Sequence, residues 1–544
     1  MTNPVAGSSR RTFLKATVAS AATAALSKPF AFAQQLNPRW TRYNVTSPQG
    51  QQALGSYKKA IQIMLQLPQN DPHNWFRNAF VHLLDCPHGN WWFYVWHRGY
   101  IGNLEDTVRT LSGDSNFALP YWDWTAYKGI PSSMFADGLT PQSPLFLRYN
   151  KDISTFTTYF KSSMSSFWST LNADQLAQLN TRGYSTFDLM WNDVTGYDPK
   201  SGKVIPGNSA FAANARSRYL SPYNPYFDKR TAFDAQLSTI NFGLSAPDFV
   251  STAPELSFNS SQQPSHNTAP GGPGSFFSTL EGLPHNHIHN YIGGVGPWDP
   301  GPYGNMTNFL SSIDPIFFLH HANMDRLWDV WTRKQINQGT PYLPTGSDWT
   351  SYKNEPFLFF VDGQGKYLTS GKAEDFISTD RFRYTYEPGS GDDIVKATRI
   401  SLQSGRTITA TVHGNAATLS LPVTAIRSHL AQTHTPTLAA ILTLPHPALG
   451  DPSREFDVLI GAPAGVTHAD PGSPYYAGTI SFFGNMASMP GMDADSTFVV
   501  PLPHNQHLLN AVKDGNAQVS VRVVPANGKA THAPVLKSVL ISVN

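Results

Sequence analysis

Two stretches organise the sequence: Glu281-Gly-Leu-Pro-His285-Asn-His-Ile-His289 and Asp314-Pro-Ile-Phe-Phe-Leu-His320-His321-Ala-Asn-Met-Asp325. His285 and His289 are four residues apart, so on a helix they project from one face and can bind one metal ion. A loop rich in Gly, Pro and Asn separates the two stretches, so His321 must come from a different element. Three imidazoles without a thiolate suit Cu, Zn, Fe or Ni better than Mg or Ca.

A second set of histidines lies upstream, in His82-Leu-Leu-Asp-Cys86-Pro-His88 and Phe93-Tyr-Val-Trp-His97-Arg98. Each set of three is embedded in aromatic sequence, and two such triplets in one chain indicate two metals held close together. His287 is two positions from each of its neighbours, His285 and His289. On a helix it points elsewhere, so we expect a structural role for it.

The first 33 residues have the features of a targeting segment rather than of the fold. Ser9-Arg10-Arg11-Thr12-Phe13-Leu14-Lys15 has the pattern of a twin-arginine signal, and an Ala-rich apolar run leads to the small-residue pattern Ala31-Phe32-Ala33. This order predicts the twin-arginine export machinery as a partner and a mature chain that begins near Gln34. It places the protein in a periplasm or outside a bacterial cell, with no membrane span in the mature chain.

The composition narrows the classes of partner. The formal net charge is +2 and 14% of residues are charged, which gives no indication of nucleic acid or anionic membrane as a partner. The single cysteine, Cys86, cannot form an intrachain disulfide. A buried inert thiol is the ordinary interpretation, but its place between two candidate ligands favours a chemical role. The oligomeric state stays open.

From about Arg39 to Glu387 the sequence indicates helices with long irregular loops. Apolar residues at helical spacing predict helices over residues 51–67, 74–84 and 91–111, and the last two of these carry His82 and His97. Pro and Gly place residues 85–90 in a loop between them.

The pattern changes after Pro388-Gly389. Alternating apolar residues predict strands at 407–412, 456–460, 518–524 and 535–543. We therefore predict a signal peptide over 1–33, a helical domain over 34–391 and an antiparallel β-sandwich over 392–544.

The two triplets resemble the copper sites of the tyrosinase, catechol oxidase and hemocyanin family. His82, His88 and His97-Arg98-Gly-Tyr, with Pro120-Tyr-Trp-Asp-Trp124, resemble the first site. His285, His289 and the block from Asp314 to Asp325 resemble the second. The resemblance covers roughly residues 39–390, and it implies an α-helical catalytic domain whose four-helix-bundle core holds two copper ions with O2 bound between them.

The resemblance also assigns residues around the metals. It implies that His321 rather than His320 is the sixth ligand, and that a thioether joins Cys86 to His88 in the family's Cys-x-His pattern. Each ligand's second nitrogen needs an orienting acceptor, for which Asp325 is a candidate that Arg98 would hold in place. An ordinary buried salt bridge between Arg98 and Asp325 is compatible with this role.

Two positions bear on monophenol chemistry. Glu281 matches a carboxylate that holds a water molecule in related plant enzymes, and Asn286 matches the asparagine that shares this water in members that deprotonate monophenols. A carboxylate near two metal ions is also a credible proton acceptor through one water. The gate position of some catechol oxidases falls at Asn308 or Phe309.

The C-terminal sequence resembles the β domain of plant polyphenol oxidases. Tyr384-Thr-Tyr386 resembles the tyrosine motif that closes the catalytic domain, where a ring stacks on an Arg that corresponds to Arg42. In many relatives the β domain inserts a residue into the copper pocket and keeps the enzyme latent. The candidates for that residue are Phe482, Phe483, Met489 and Met492.

These features together predict a tyrosinase that converts monophenols to o-diphenols, and o-diphenols to o-quinones, with O2 at a binuclear copper centre. A catechol oxidase would lack the first reaction, and Glu281 with Asn286 argues against it. An o-aminophenol oxidase would use the same site, so the sequence is also compatible with that activity. A hemocyanin-like O2 carrier would bind O2 without turnover, and a dizinc hydrolase would need carboxylate ligands that neither triplet contains.

Overall fold

The computed structural model describes residues 39–195, 218–299, 301–396, 406–432, 435–447, 453–484, 490–491, 494–515, 518–526 and 534–543. The segment 1–33, Met489 and Met492 lie outside these ranges. Within them, a helical unit comes first and a β unit follows, as the sequence predicts.

The α-helices α1 to α14 are, in chain order, Pro48–Gln66, Trp75–Asp85, Phe93–Ser112, Pro144–Asn150, Ile153–Trp168, Ala173–Thr181, Phe187–Thr195, Lys229–Asp234, Leu237–Ser245, Asn286–Gly293, Ile316–Gln338, Gly346–Asn354, Val423–Ala431 and Gln506–Lys513. Short 3₁₀ turns occur at Ser132–Phe135, Pro254–Leu256, Asn305–Thr307, Ser311–Ile313, Ala373–Phe376, Thr379–Arg381 and Asp392–Val395.

The strands β1 to β14 are Trp40–Arg42, Phe276–Phe277, Pro356–Phe357, Gly371–Lys372, Tyr384–Tyr386, Arg406–Thr409, Thr411–His413, Ala416–Ser420, Leu438–Leu444, Glu455–Ile460, Tyr476–Ser481, Ser496–Pro501, Gln518–Pro525 and Ser538–Val543.

The helix starts follow from local side-chain chemistry. Ser47 caps α1 by accepting a hydrogen bond from the Gly50 amide, and Pro48 occupies the first turn, where its missing N–H costs nothing. Asn74 caps α2 by accepting from two amides of the first turn. The three helices predicted from apolar spacing are confirmed within two or three residues at each end.

The core of the helical unit is formed by α2, α3, α10 and α11. Rings from these helices meet at its centre: Phe317 of α11 packs edge-on against His82 of α2 at 4.8 Å between centroids. The predicted helical bundle is confirmed, and its centre is where the six candidate ligands lie. Among the described residues, no helix is both long and apolar enough to span a bilayer.

The β unit is a sandwich of two five-stranded sheets, in the orders β11-β10-β13-β8-β7 and β2-β12-β9-β14-β6. The pairings are antiparallel except that of β2 with β12, which is parallel. The predicted β-sandwich is therefore confirmed. One edge strand, β2, comes from the helical part of the chain, so a sheet crosses the predicted boundary at residue 392.

The start of the helical unit is tied to its end. β1 pairs in parallel with β5, and the Arg42 guanidinium lies 3.5 Å from the centroid of the Tyr384 ring. This is the arginine–tyrosine stacking that the sequence predicts.

Candidate metal centre

His285 and His289 are presented by a local change in helical winding. Residues Glu281–His285 form a π-helical turn that contains Pro284, and α10 follows directly. Such turns are frequent at functional sites. Nδ1 of His289 donates to the Met306 carbonyl at 2.8 Å, and Nδ1 of His285 lies 2.9 Å from the side-chain oxygen of Asn286.

The first triplet comes from two helices and the loop between them. Nδ1 of His82 donates to the Phe309 carbonyl and Nδ1 of His97 to the Phe93 carbonyl, each at 2.7 Å. His88 lies on the loop, with Nδ1 at 3.5 Å from the Cys86 sulfur. The loop makes a tight turn at Gly89, whose φ is +62° and where a Cβ would lie 2.2 Å from Pro270.

These contacts leave the other ring nitrogens directed inward. An imidazole whose Nδ1–H is donated to a carbonyl has a free lone pair on Nε2, the atom that binds a metal. Nε2 of His82 is 3.4 Å from Nε2 of His97, and Nε2 of His289 is 3.3 Å from Nε2 of His321. Burial lowers the pKa of both His82 and His285 to about 3, so both are neutral.

Two further observations show that these residues fit metal ions. Nε2 of His88 and Nε2 of His285 are buried and have no hydrogen-bond partner among the described residues. Buried polar atoms without partners are rare in folded proteins, and a missing ion is one explanation for them. The donor set of neutral imidazoles suits copper, and ligand atoms of His285, His289, His320 and His321 lie within 4.8 Å of one another.

The two triplets face each other across a short distance. The rings of His97 and His321 are parallel, with centroids 4.1 Å apart, and the rings of His88 and His285 are 5.7 Å apart. Two metals held by these sets would therefore be neighbours.

His320 lies beside this arrangement. Its ring is 4.8 Å from His289 and 5.2 Å from His285, and neither of its nitrogens has a partner in the described part of the chain. Ring contacts to His97 and His82 are made by His321. Of the two triplets, His320 therefore contacts only the second, whereas His321 contacts both.

A phenylalanine of the β unit enters the space between the triplets. The ring centroid of Phe483 is 4.4 Å from His289 and 4.8 Å from His88. Phe309 lines the same pocket, at 5.3 Å from His88 and 5.8 Å from Phe483. Phe482 instead packs in the core of the β unit, 5.1 Å from Phe498.

A family model described as the common central domain of tyrosinase matches residues 40–334, more than half of the chain. The chain belongs to the tyrosinase family.

The relatives agree with this assignment. The chloroplastic polyphenol oxidase of Vitis vinifera is 27% identical over 393 residues, which cover 69% of this chain and 51% of that protein. The chain spans about half the length of the curated relatives it matches.

Two solved structures share the fold. A latent aurone synthase, a polyphenol oxidase, aligns with a TM-score of 0.53 at 19% identity, covering 94% of this chain and 91% of that one. Latent apple tyrosinase aligns with a TM-score of 0.52 at 18% identity, covering 92% and 97%.

The relatives contradict the predicted location. Those of Vitis vinifera, Malus domestica and Prunus armeniaca are described as chloroplastic. By this comparison the prediction of a periplasmic or secreted protein, exported by the twin-arginine machinery, is wrong. Residues 1–33, on which it rested, lie outside the described residues.

Asp325 does not have the predicted role of orienting a histidine ring. Asp325 binds Arg98 at 2.6 Å, Arg42 at 3.2 Å and the hydroxyls of Tyr384 and Tyr386. Among the described residues no hydrogen bond joins it to an imidazole. Backbone carbonyls accept from three of the six rings instead: that of Phe93, one helical turn before His97, and those of Phe309 and Met306 for His82 and His289.

Glu281 and Asn286 are both fully buried, and the Asn286 backbone N–H donates to the Glu281 carbonyl, but their side chains have different partners. The Glu281 carboxylate accepts from the Gly89 amide at 2.6 Å and from the Ser260 hydroxyl. Burial raises its pKa to about 8, although these hydrogen bonds oppose the shift. The Asn286 amide donates to the Ser481 carbonyl of β11 at 3.0 Å. Glu281 therefore connects the π turn to the His88 loop, and Asn286 connects the start of α10 to the β unit.

A buried network that the sequence did not indicate supports the loop of His88. The two ring nitrogens of His266 lie 2.6 Å from a Glu355 oxygen and 2.9 Å from an Asp85 oxygen. The Arg182 guanidinium donates to the Cys86 carbonyl at 2.6 Å. His266 and Arg182 come from distant loop and helix-end positions, so no local pattern marks them.

This network predicts a loss of stability at alkaline pH. Burial lowers the pKa of His266, but Asp85 and Glu355 outweigh it and raise the pKa to about 9. A histidine whose folded pKa exceeds its unfolded value of about 6.5 stabilises the protein fully below that value. We expect this contribution to the free energy of unfolding to disappear as the pH rises through 9.

Urea unfolding from pH 6 to pH 10 would measure the contribution of His266 to the free energy of unfolding. In a His266→Gln chain the free energy of unfolding should depend less on pH over the same range. His413, which is exposed on β7, offers the control substitution His413→Gln. Equal slopes for the unchanged and His266→Gln chains would contradict the interpretation.

Proposed function

We propose that this chain is a phenol oxidase with two copper ions, held by His82, His88 and His97 on one side and by His285, His289 and His321 on the other. The observation that carries the proposal is the pair of facing, buried imidazole triplets with Nε2 atoms directed inward. Bound copper would exchange between Cu(I) and Cu(II), and so supply O2 with two electrons and recover them from the phenol.

The protein groups perform the remaining tasks. Carbonyls of Phe93, Met306 and Phe309 fix the tautomer and orientation of three imidazoles, so the ligand atoms are in place before a metal binds. The aromatic walls of the pocket exclude water and accept a flat ring. The ring position is the one that Phe483 occupies, against His289 and His88.

We further propose that the enzyme hydroxylates monophenols as well as oxidising o-diphenols. The support is the pair Glu281 and Asn286, both buried, the first in the π turn that carries His285 and the second directly after it. Asn286 lies at the pocket side of that turn, since its amide meets the segment that inserts Phe483. A catechol oxidase or an o-aminophenol oxidase would use the same six ligands, so substrate assays decide between them.

The β unit would keep the uncleaved chain latent. Phe483 is 4% exposed and fills the place of a substrate ring. Both solved structures named above are described as latent. We propose that access to the copper pair requires Phe483 to leave the pocket.

We also propose a thioether between Cys86 and His88. Burial raises the pKa of the Cys86 thiol to about 12, so it is not a reactive thiolate, and its sulfur is 3.5 Å from the His88 ring. The bond would replace one S–H and one ring C–H, and O2 would take up the two protons and two electrons that are released and become hydrogen peroxide. We expect the Cys86–His88 peptide of copper-loaded, aerated protein to be lighter by two hydrogen atoms.

Peptide mass spectrometry measures this change, with copper-free protein and a Cys86→Ser chain as controls that keep the mass of their sequence. A thiol that reacts fully with iodoacetamide after the copper-loaded chain is unfolded would rule out the crosslink.

Oxygen uptake tests the proposed function. Copper-loaded protein would be given a monophenol and then an o-diphenol, before and after limited proteolysis between the two units. Activity on both substrates that rises after cleavage would support the proposal. Activity on the o-diphenol alone would make the enzyme a catechol oxidase, and reversible O2 binding without turnover would make it an oxygen carrier.

A further inference from the structure

The segment that fills the pocket is held through its main chain. The side-chain amide of Asn286 donates to the Ser481 carbonyl, and that of Asn290 donates to the Phe482 carbonyl, each at 3.0 Å. The two asparagines are four residues apart on α10 and therefore share a face of that helix. These contacts reach backbone oxygens, which every peptide has.

Successive side chains of the segment point in opposite directions. The Phe482 ring is buried in the core of the β unit, and the Phe483 ring is buried in the pocket between the triplets. Alternation of this kind is the geometry of an extended strand. The segment is thus presented to the metal centre as an extended peptide with one aromatic side chain inserted.

The residue after the inserted ring is constrained. Gly484 has a φ of +70°, and a Cβ there would lie 2.6 Å from the Phe309 ring. A glycine adopts this conformation without strain, whereas other residues rarely do. The pocket therefore accepts an aromatic residue that is followed by glycine.

We propose that Asn286 and Asn290 form a clamp for peptide backbone, and that the substrate class of this site includes tyrosine within an extended peptide, followed by glycine. This inference rests on the proposed function and names a substrate class for it. Main-chain hydrogen bonds supply affinity in such recognition, and a side-chain pocket supplies specificity. A free phenol would fill the ring pocket but leave both amides without their acceptors. The segment 481–484 then occupies the site as a substrate would, with a phenylalanine that lacks the reactive hydroxyl.

Phe483→Tyr tests this in the full chain, because it converts the clamped segment into a tyrosine–glycine peptide in place. In copper-loaded protein under air, one oxygen atom of O2 enters the introduced phenol ring and the other leaves as water. The phenol loses two hydrogens and becomes an o-quinone. We expect peptide mass spectrometry to show this gain of one oxygen and loss of two hydrogens at residue 483, and a gain of one oxygen after reduction to the catechol.

Three matched variants locate the cause. Phe482→Tyr places the hydroxyl one residue away in the β core and should leave the introduced phenol unmodified. Adding Asn290→Leu to Phe483→Tyr removes one clamp donor with little change in size, and the rate of modification should fall about tenfold, the effect of one lost hydrogen bond. Adding Gly484→Ala should slow it as well, since the ring of Phe309 would be displaced.

The outcomes separate the two proposals. If the Phe483→Tyr chain oxidises added catechol after proteolysis but its introduced phenol stays unmodified, the clamp is overturned and the phenol oxidase stands. Equal modification with and without Asn290 would also overturn the clamp, because the amides would then serve only to dock the β unit. A Phe483→Tyr chain that oxidises neither its own residue 483 nor any added phenol would overturn both.

Discussion

We expect the His321→Asn chain to bind one copper ion and the unchanged chain to bind two, and the oxidation of catechol to fall more than about a hundredfold. His321 is the residue that closes the second triplet, with Nε2 at 3.3 Å from Nε2 of His289 and its ring stacked on His97. Its loss leaves two imidazoles on that side, too few to hold a copper ion against competing chelators. Metal analysis after dialysis and oxygen uptake measure the two effects.

The control is the residue next to it. His320 is as deeply buried as His321, has the same side chain and lies near the same triplet. The His320→Asn chain should therefore suffer a similar disturbance of packing but keep two copper ions. If His320→Asn lost the metal and His321→Asn kept it, the ligand assignment would have to be exchanged.

The Phe483→Ala chain should oxidise o-diphenols without proteolysis, at a rate at least about tenfold above that of the uncleaved chain. Removal of the ring opens the space between His289 and His88 while the hydrogen bonds from Asn286 and Asn290 to the segment remain. The rate of oxygen uptake by the uncleaved chain measures the effect, and cleavage should then add little.

Phe482→Leu is the matched control, since Phe482 is adjacent but faces the core of the β unit. It should lower the unfolding temperature of that unit and leave the uncleaved chain latent. Activation by Phe482→Leu to the same extent would mean that loosening of the β unit, and not the Phe483 ring, controls access.

The fold can be predicted from the sequence because the signals for helices, loops and strands are local. Apolar spacing predicts the two helices that carry His82 and His97, Pro and Gly predict the loop between them, and alternation predicts the strands of the β unit. Short spacing in the sequence also indicates the two sets of candidate histidines, whereas the choice of His321 over His320 followed from the resemblance. Stacking of Arg42 on Tyr384 followed from the resemblance to the tyrosinase family and not from spacing.

What the sequence could not show depends on contacts between distant parts of the chain. The acceptors of His82 and His289 are backbone carbonyls of Phe309 and Met306, and every residue has such a carbonyl. Asp325 has the carboxylate expected of an acceptor for a histidine ring, but it accepts hydrogen bonds from two arginines and two tyrosines instead. The role of Asn290 could not be predicted from the sequence, because its partner is a main-chain oxygen 192 residues away.

The parallel pairing of β2 with β12 has a consequence for any processing of the chain. Thr497 and Phe498 of β12 are aligned with Phe276 and Phe277, a few residues before the π turn. A cut in the connecting peptide would not by itself break this pairing, so the proposed activation also requires that β12 separate from β2. Once separated, the β fragment would expose β12 as a bare edge of N–H and C=O groups, which readily pairs with other chains. Release of the β fragment would therefore make it prone to aggregate.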